Sequence, residues 1–152
     1  AHFPNAPFTE EPFEVNAVIP ERTFLEKVFL LHEEFRKDAV RVERMSRHLY
    51  DLAMMMDSEH NIADRAINNE ELYRAVVEHR RKFIGLKDFN YDELYTDTLC
   101  IVPNSEIAIK WMQDYKFMGE HMIYGQIPSF KELIEKMKTL NEKIRQLNYL
   151  KT

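Results

Sequence analysis

Glycine and cysteine are both scarce in this 152-residue chain, with three of the first and one of the second. A lone Cys100 cannot close an internal disulfide, so nothing here is a disulfide-stapled secreted scaffold, and a reducing cytoplasm is the expected compartment. Three glycines, none followed by serine, leave no Gly-Ser turn of the kind that cradles a triphosphate. The sequence contains no HExxH, no CxxC and no Asp-x-Asp, so no zinc ligand set and no close carboxylate pair for Mg²⁺ can be read from spacing. His2, His32, His60 and His121 lack ligand spacing too, and read as ordinary surface or core histidines. No apolar run approaches the roughly 18 residues of a membrane span, and no charged segment precedes an apolar signal core. A net charge of −5, without long runs of either sign, argues against a surface that coats nucleic acid.

What is present reads as one helical domain. Hydrophobic residues at 45% and charged residues at 31% are globular values, and the length suffices to bury a core. Four of the six prolines fall within the first 20 residues. There FEVNAVI places Phe13, Val15, Ala17 and Ile19 on one side of an extended segment. One strand cannot satisfy its own edges, and no clear partner strand follows. Residues 1–20 are therefore expected to be an extended arm, or the last strand of a lobe lying upstream, with a C-terminal helical domain over 21–152.

After Pro20 the apolar spacing predicts a mainly α fold, a bundle of about five helices. Thr23 and Glu26 have capping-box spacing, although Pro20 would suit a first turn that begins earlier. A second helix is expected from about Val40 to Met56 and a third from Asn69 to Phe83. One short helical turn near Asp92 should interrupt the irregular connection that follows. Ser105 should cap a helix that runs through Met122 and stops near Gly125 and Pro128, and Ser129 with Glu132 should open a last helix burying Leu133, Met137, Leu140, Ile144 and Leu147. The three methionines of AMMMD cannot all face one way, so core packing with incidental exposure accounts for them.

Two charged residues sit oddly in this pattern. At 100° per residue, Lys27 lies on the flank of the first apolar stripe, near Leu30 and Leu31, with Thr23 four residues before it and Arg22 a turn below. Cations near a helix N-terminus, where N–H groups are unpaired, would favour a phosphate. Asp51 lies among Leu49, Leu52 and Met55, with Arg47, His48 and Arg44 spaced to reach it. The plain alternative is a Lys27 that snorkels over the core to pair with Glu34, and an Asp51–Arg47 pair that is an ordinary helical contact.

TFLEKVFLLH followed by SRHLYDL resembles the C-terminal signature of the AbiEii-type nucleotidyltransferases, toxins of type IV toxin–antitoxin and phage-abortive systems. The shared pattern is a Thr-x-x-x-Lys helix and then an Arg-x-x-Tyr-Asp helix. It is met here by Thr23, Lys27, Arg47, Tyr50 and Asp51, the last 24 positions after Lys27. HRRKF, DYKFM and MIYGQIPSFKELI resemble the helical tail of longer members. The resemblance implies a catalytic pair, Lys27 and Asp51, and nucleotide contacts from Lys27, Thr23, Arg22 and Arg47. It implies an NTP and Mg²⁺ in the full-length protein, an RNA or protein acceptor, and an antitoxin as possible partner. The Gly-Ser and Asp-x-Asp core of that family is missing here, so this chain alone is expected to transfer nothing. Two other readings stay open: a helical ribonuclease of HEPN type, from Arg74 with His79 or Arg41 with His48, and a non-catalytic interaction module.

Overall fold

A computed structural model describes residues 19–95, 97–121 and 125–149. Among them are six α-helices and one 3-10 turn, and no strand. The strand expected at Phe13–Ile19 falls almost wholly outside the described residues.

Helix α1, Pro20–Phe35, is the central element, packed against α2, α3 and α4. Its Phe24, Leu25, Val28, Phe29 and Leu31 are fully buried, and burying each side chain of this size is worth about 1.5–3 kcal/mol. The helix starts at Pro20, whose missing N–H is one that the first turn leaves unpaired anyway. The capping box expected at Thr23 is not formed: Ile19 is the N-cap, and Glu26 reaches Arg22 and Arg80 instead.

Helix α2 is shorter than its periodicity predicts, running from Arg47 to Met56. Residues 40–46 form a turn in which Arg44 takes φ of 60°. The backbone groups that a helix would have paired are held by side chains. The N–H groups of Arg44 and Ser46 donate to Asp114 at 2.8 and 3.0 Å, that of Arg41 donates to Glu34 at 2.7 Å, and Trp111 Nε1 donates to the Arg41 carbonyl at 3.0 Å. Side-chain partners of this kind let a segment leave the helix without losing hydrogen bonds.

A short helix, α3 (Ile62–Ile67), was not expected. It follows Asn61 at φ 51° and buries Ala63, Ala66 and Ile67. Helix α4 spans Glu70–Phe83 and is capped by the Asn69 side chain, which accepts from the Leu72 N–H at 3.1 Å. The 3-10 turn Tyr91–Tyr95 is the short turn anticipated near Asp92.

Helix α5, Ser105–His121, is capped one residue earlier than expected, by Asn104 Oδ1 on the Ile107 N–H at 2.9 Å. Residues 122–124, over which it was expected to continue towards Gly125, lie outside the described residues. Helix α6, Phe130–Arg145, opens with the full Ser129–Glu132 capping box and packs on α2. It buries Leu133, Met137, Leu140 and Ile144, with Leu147 partly buried beyond its end. From the same helix Asn141 accepts from the Ile101 N–H at 2.8 Å and donates to the Leu99 carbonyl, tying down the loop before α5.

Candidate functional site

Lys27 and Asp51 meet. The Lys27 Nζ donates to Asp51 Oδ2 at 3.0 Å, bridging α1 and α2. Their apolar neighbours account for this position. Phe24, Val28 and Leu31 on one helix, and Leu49 and Leu52 on the other, are buried in the shared core. The flanking charges are thereby brought to its edge. Lys27 keeps 21% of its side chain exposed and Asp51 34%, so the pair is wet on one side.

The simpler pairings are not the ones made. Glu34 is 1% exposed and is taken by Lys37 at 2.8 Å and Arg41 at 2.9 Å. Burial opposes its ionisation, but the Arg41 guanidinium and Lys37 ammonium hold its carboxyl below the usual range. Arg44 cannot reach Asp51 along a helix, because it lies in the preceding turn. Arg47 is the exposed first residue of α2, and Arg22 lies 3.7 Å from Glu26. Thr23 stands half-buried one turn before Lys27. Of the anticipated site residues, then, Lys27 and Asp51 are brought into contact, while Arg22 is turned to another carboxylate.

One member of the cluster has no partner for a buried atom. His48, one turn before Asp51, has its Nδ1 sealed from solvent without a hydrogen bond. Burial pushes its pKa down, and Lys27, Arg47 and Arg41 act the same way against the opposing charge of Asp51.

Behind this edge lies a structural ion lattice that the spacing of charges did not reveal. Arg80 of α4 binds Glu33 through Nε, and through Nη2 at 3.0 Å, and also reaches Glu26. Buried His32 sits between Glu93, at 3.0 Å from Nε2, and the Cys100 N–H, which donates to Nδ1 at 2.9 Å. Burial lowers the His32 pKa, with Glu93 opposing.

A cleft of about 490 Å³ is lined by residues including Glu33, Arg36, Phe89 and Glu93, and contains none of the anticipated site residues. Its Arg36 is bonded to Glu93 at 2.8 Å. The ribonuclease pairs gain no support. Arg74 is bonded to Glu70 at 3.0 Å and lies over the Tyr95 ring, whereas His79 packs at a tilt against the Phe83 ring. Arg41 is in the turn, not on the helix that carries His48.

Fold and site together define, among the described residues, a helical domain that presents a cross-helix lysine–aspartate pair at a solvent-facing edge. A family model described as the nucleotidyl transferase AbiEii toxin of type IV toxin–antitoxin systems matches residues 2–136. The chain belongs to this family of toxin-type nucleotidyltransferases. No curated protein and no solved structure matches it. No helix among the described residues is long and apolar enough to cross a membrane.

Proposed function

We propose that this chain is the helical lobe of a toxin-type nucleotidyltransferase, and that Lys27 and Asp51 form its contribution to the nucleotide site. The observation that carries the reading is their 3.0 Å contact at an open edge of the α1–α2 interface. Two residues that an ordinary amphipathic pattern would not place there are joined across helices, in a chain matched to the family over residues 2–136.

Each side chain has a task that its chemistry suits. The Lys27 ammonium places a positive charge where the phosphates of an NTP are held, and charge stabilisation is the main demand of phosphoryl-group chemistry. Asp51 holds that ammonium at a fixed point, and its remaining carboxylate oxygen faces the reacting centre. Arg47 and Thr23, and Arg22 once it leaves Glu26, supply the further nucleotide contacts in this reading. The residues present do not fit a Mg²⁺ centre. No group of three or more His, Cys, Asp or Glu side chains among the described residues could hold a metal, and the sequence has no Asp-x-Asp. The metal and the triphosphate turn belong to a second lobe, with residues 1–20 leading from it. An RNA or protein hydroxyl is the acceptor, and an antitoxin protein the regulatory partner.

The test is nucleotide transfer itself. Labelled NTP, Mg²⁺ and RNA or protein acceptors are incubated with this chain and with an enzyme that adds a Gly-Ser and Asp-x-Asp lobe. Label should appear only with both lobes. Transfer by this chain alone would mean that the catalytic centre has been misplaced, and silence from the two-lobe enzyme would end the transferase reading.

A further inference from the structure

The unpartnered nitrogen of His48 fixes more than it first suggests. Of its two ring nitrogens only Nδ1 is both sealed from solvent and unbonded. A proton there, in the neutral Nδ1–H tautomer or in the imidazolium, would bury a donor with nothing to accept it, and such orphaned N–H groups are rare in folded proteins. A bare lone pair in the same place is tolerated better. The charged groups around the ring act in the same direction on balance. Lys27 from α1, Arg47 from α2 and Arg41 from the preceding turn disfavour a second positive charge, with Asp51 alone opposing them. The ring is therefore neutral, with its proton on Nε2, the nitrogen that is not sealed.

We infer that His48 is a third member of the site, donating a hydrogen bond from a neutral Nε2–H to a phosphate oxygen of the nucleotide held against Lys27. This rests on the nucleotide-site reading above. It assigns His48 no proton transfer, because the outward nitrogen already carries its proton and the inward one has nowhere to place another. The role is that of a neutral imidazole donor, which differs from the general base that a histidine beside an aspartate suggests at first sight.

Two measurements test it. Long-range ¹H–¹⁵N correlation spectra of this chain, with His48→Gln to assign the resonances, should show the Nε2–H tautomer at about pH 7, with the passage to imidazolium displaced to the acid side of an ordinary histidine. An Nδ1–H or charged pattern overturns the proposal. In the two-lobe enzyme, His48→Ala should lower kcat/KM about tenfold, the size expected for one neutral hydrogen bond. His48→Gln restores an N–H donor at similar reach and should recover most of that loss. Its pH profile should superimpose on that of the unaltered enzyme between about pH 6 and 8. A general base predicts the opposite: both variants equally impaired, with a limb of the profile lost. Parallel losses of melting temperature and activity in both variants would make His48 structural and also overturn the proposal. If Lys27→Ala abolishes transfer while His48→Ala leaves it unchanged, only the His48 assignment falls. If Lys27→Ala leaves transfer intact, the nucleotide-site reading falls and takes this one with it.

Discussion

Arg80→Ala probes the part of the molecule that holds the site without belonging to it. Arg80 keeps 8% of its side chain exposed and Glu33 4%, and the guanidinium binds both Glu33 oxygens as well as Glu26. Truncation leaves the Glu33 carboxylate buried between α1 and α4 without its cation. Breaking a buried pair from one side costs about 3–5 kcal/mol, chiefly because the stranded charge has lost its water as well as its partner. A domain of this size has roughly 5–15 kcal/mol of stability in total, so the loss is a large share of it. At about 2–4 °C per kcal/mol the melting temperature should fall by roughly 6–20 °C. Urea unfolding followed by circular dichroism gives the free energy directly. Replacing both members, as in Arg80→Met with Glu33→Leu, removes the stranded charge and should restore most of the stability. A single Arg80→Ala variant within about 0.5 kcal/mol of the parent, the range of ordinary surface changes, would refute the reasoning.

Three further outcomes are expected. Asp114→Ala removes the acceptor of the Arg44 and Ser46 N–H groups and of the Ser46 hydroxyl. It should cost about 1–3 kcal/mol and speed hydrogen exchange at residues 40–46; unchanged protection there would contradict it. Ser129→Ala breaks the capping box of α6 and should cost about 1 kcal/mol in urea unfolding, whereas a neutral effect would mean that the cap is not used. Acid should weaken the fold in two stages. His32 and His48 have pKa values below 6.5 in the folded chain, so their contribution is complete above that pH and is lost as pH falls through the folded values. Glu93, held down by Arg36, and Glu34, held down by Arg41 and Lys37 against its burial, contribute above 4.5 and lose that contribution further into acid. A urea midpoint that stays flat from neutral pH down to about pH 5 would remove the histidine stage.

How far the sequence could be read follows from where hydrogen bonds are made. The last helix was legible to its cap because Ser129 and Glu132 act on their own turn, and the extent of α4 was legible from its apolar spacing. The break at 40–46 was not, since the apolar period continues through it and neither glycine nor proline marks it. Its cause is Asp114, 68 residues from Ser46. The six residues of α3 are too few for a period to show. Glu26 looked like a cap because Arg80, 54 residues away, could not be seen as its partner. The site was half legible. The misplaced charges Lys27 and Asp51 stood out against their apolar neighbours, but the expected donors to Asp51 came from its own helix and the turn before it, whereas the actual donor lies on α1.

That cross-helix contact is also where the account is most exposed to test. Lys27→Ala and Asp51→Ala, made in the two-lobe enzyme, are followed by melting temperature and by transfer of label from NTP. Each partner left behind is partly solvated, so the loss of stability should stay within about 1 kcal/mol. The account predicts two folded proteins with nucleotide transfer abolished in both. A Lys27→Ala enzyme that is folded and fully active, or one whose activity falls only as far as its stability, would contradict it.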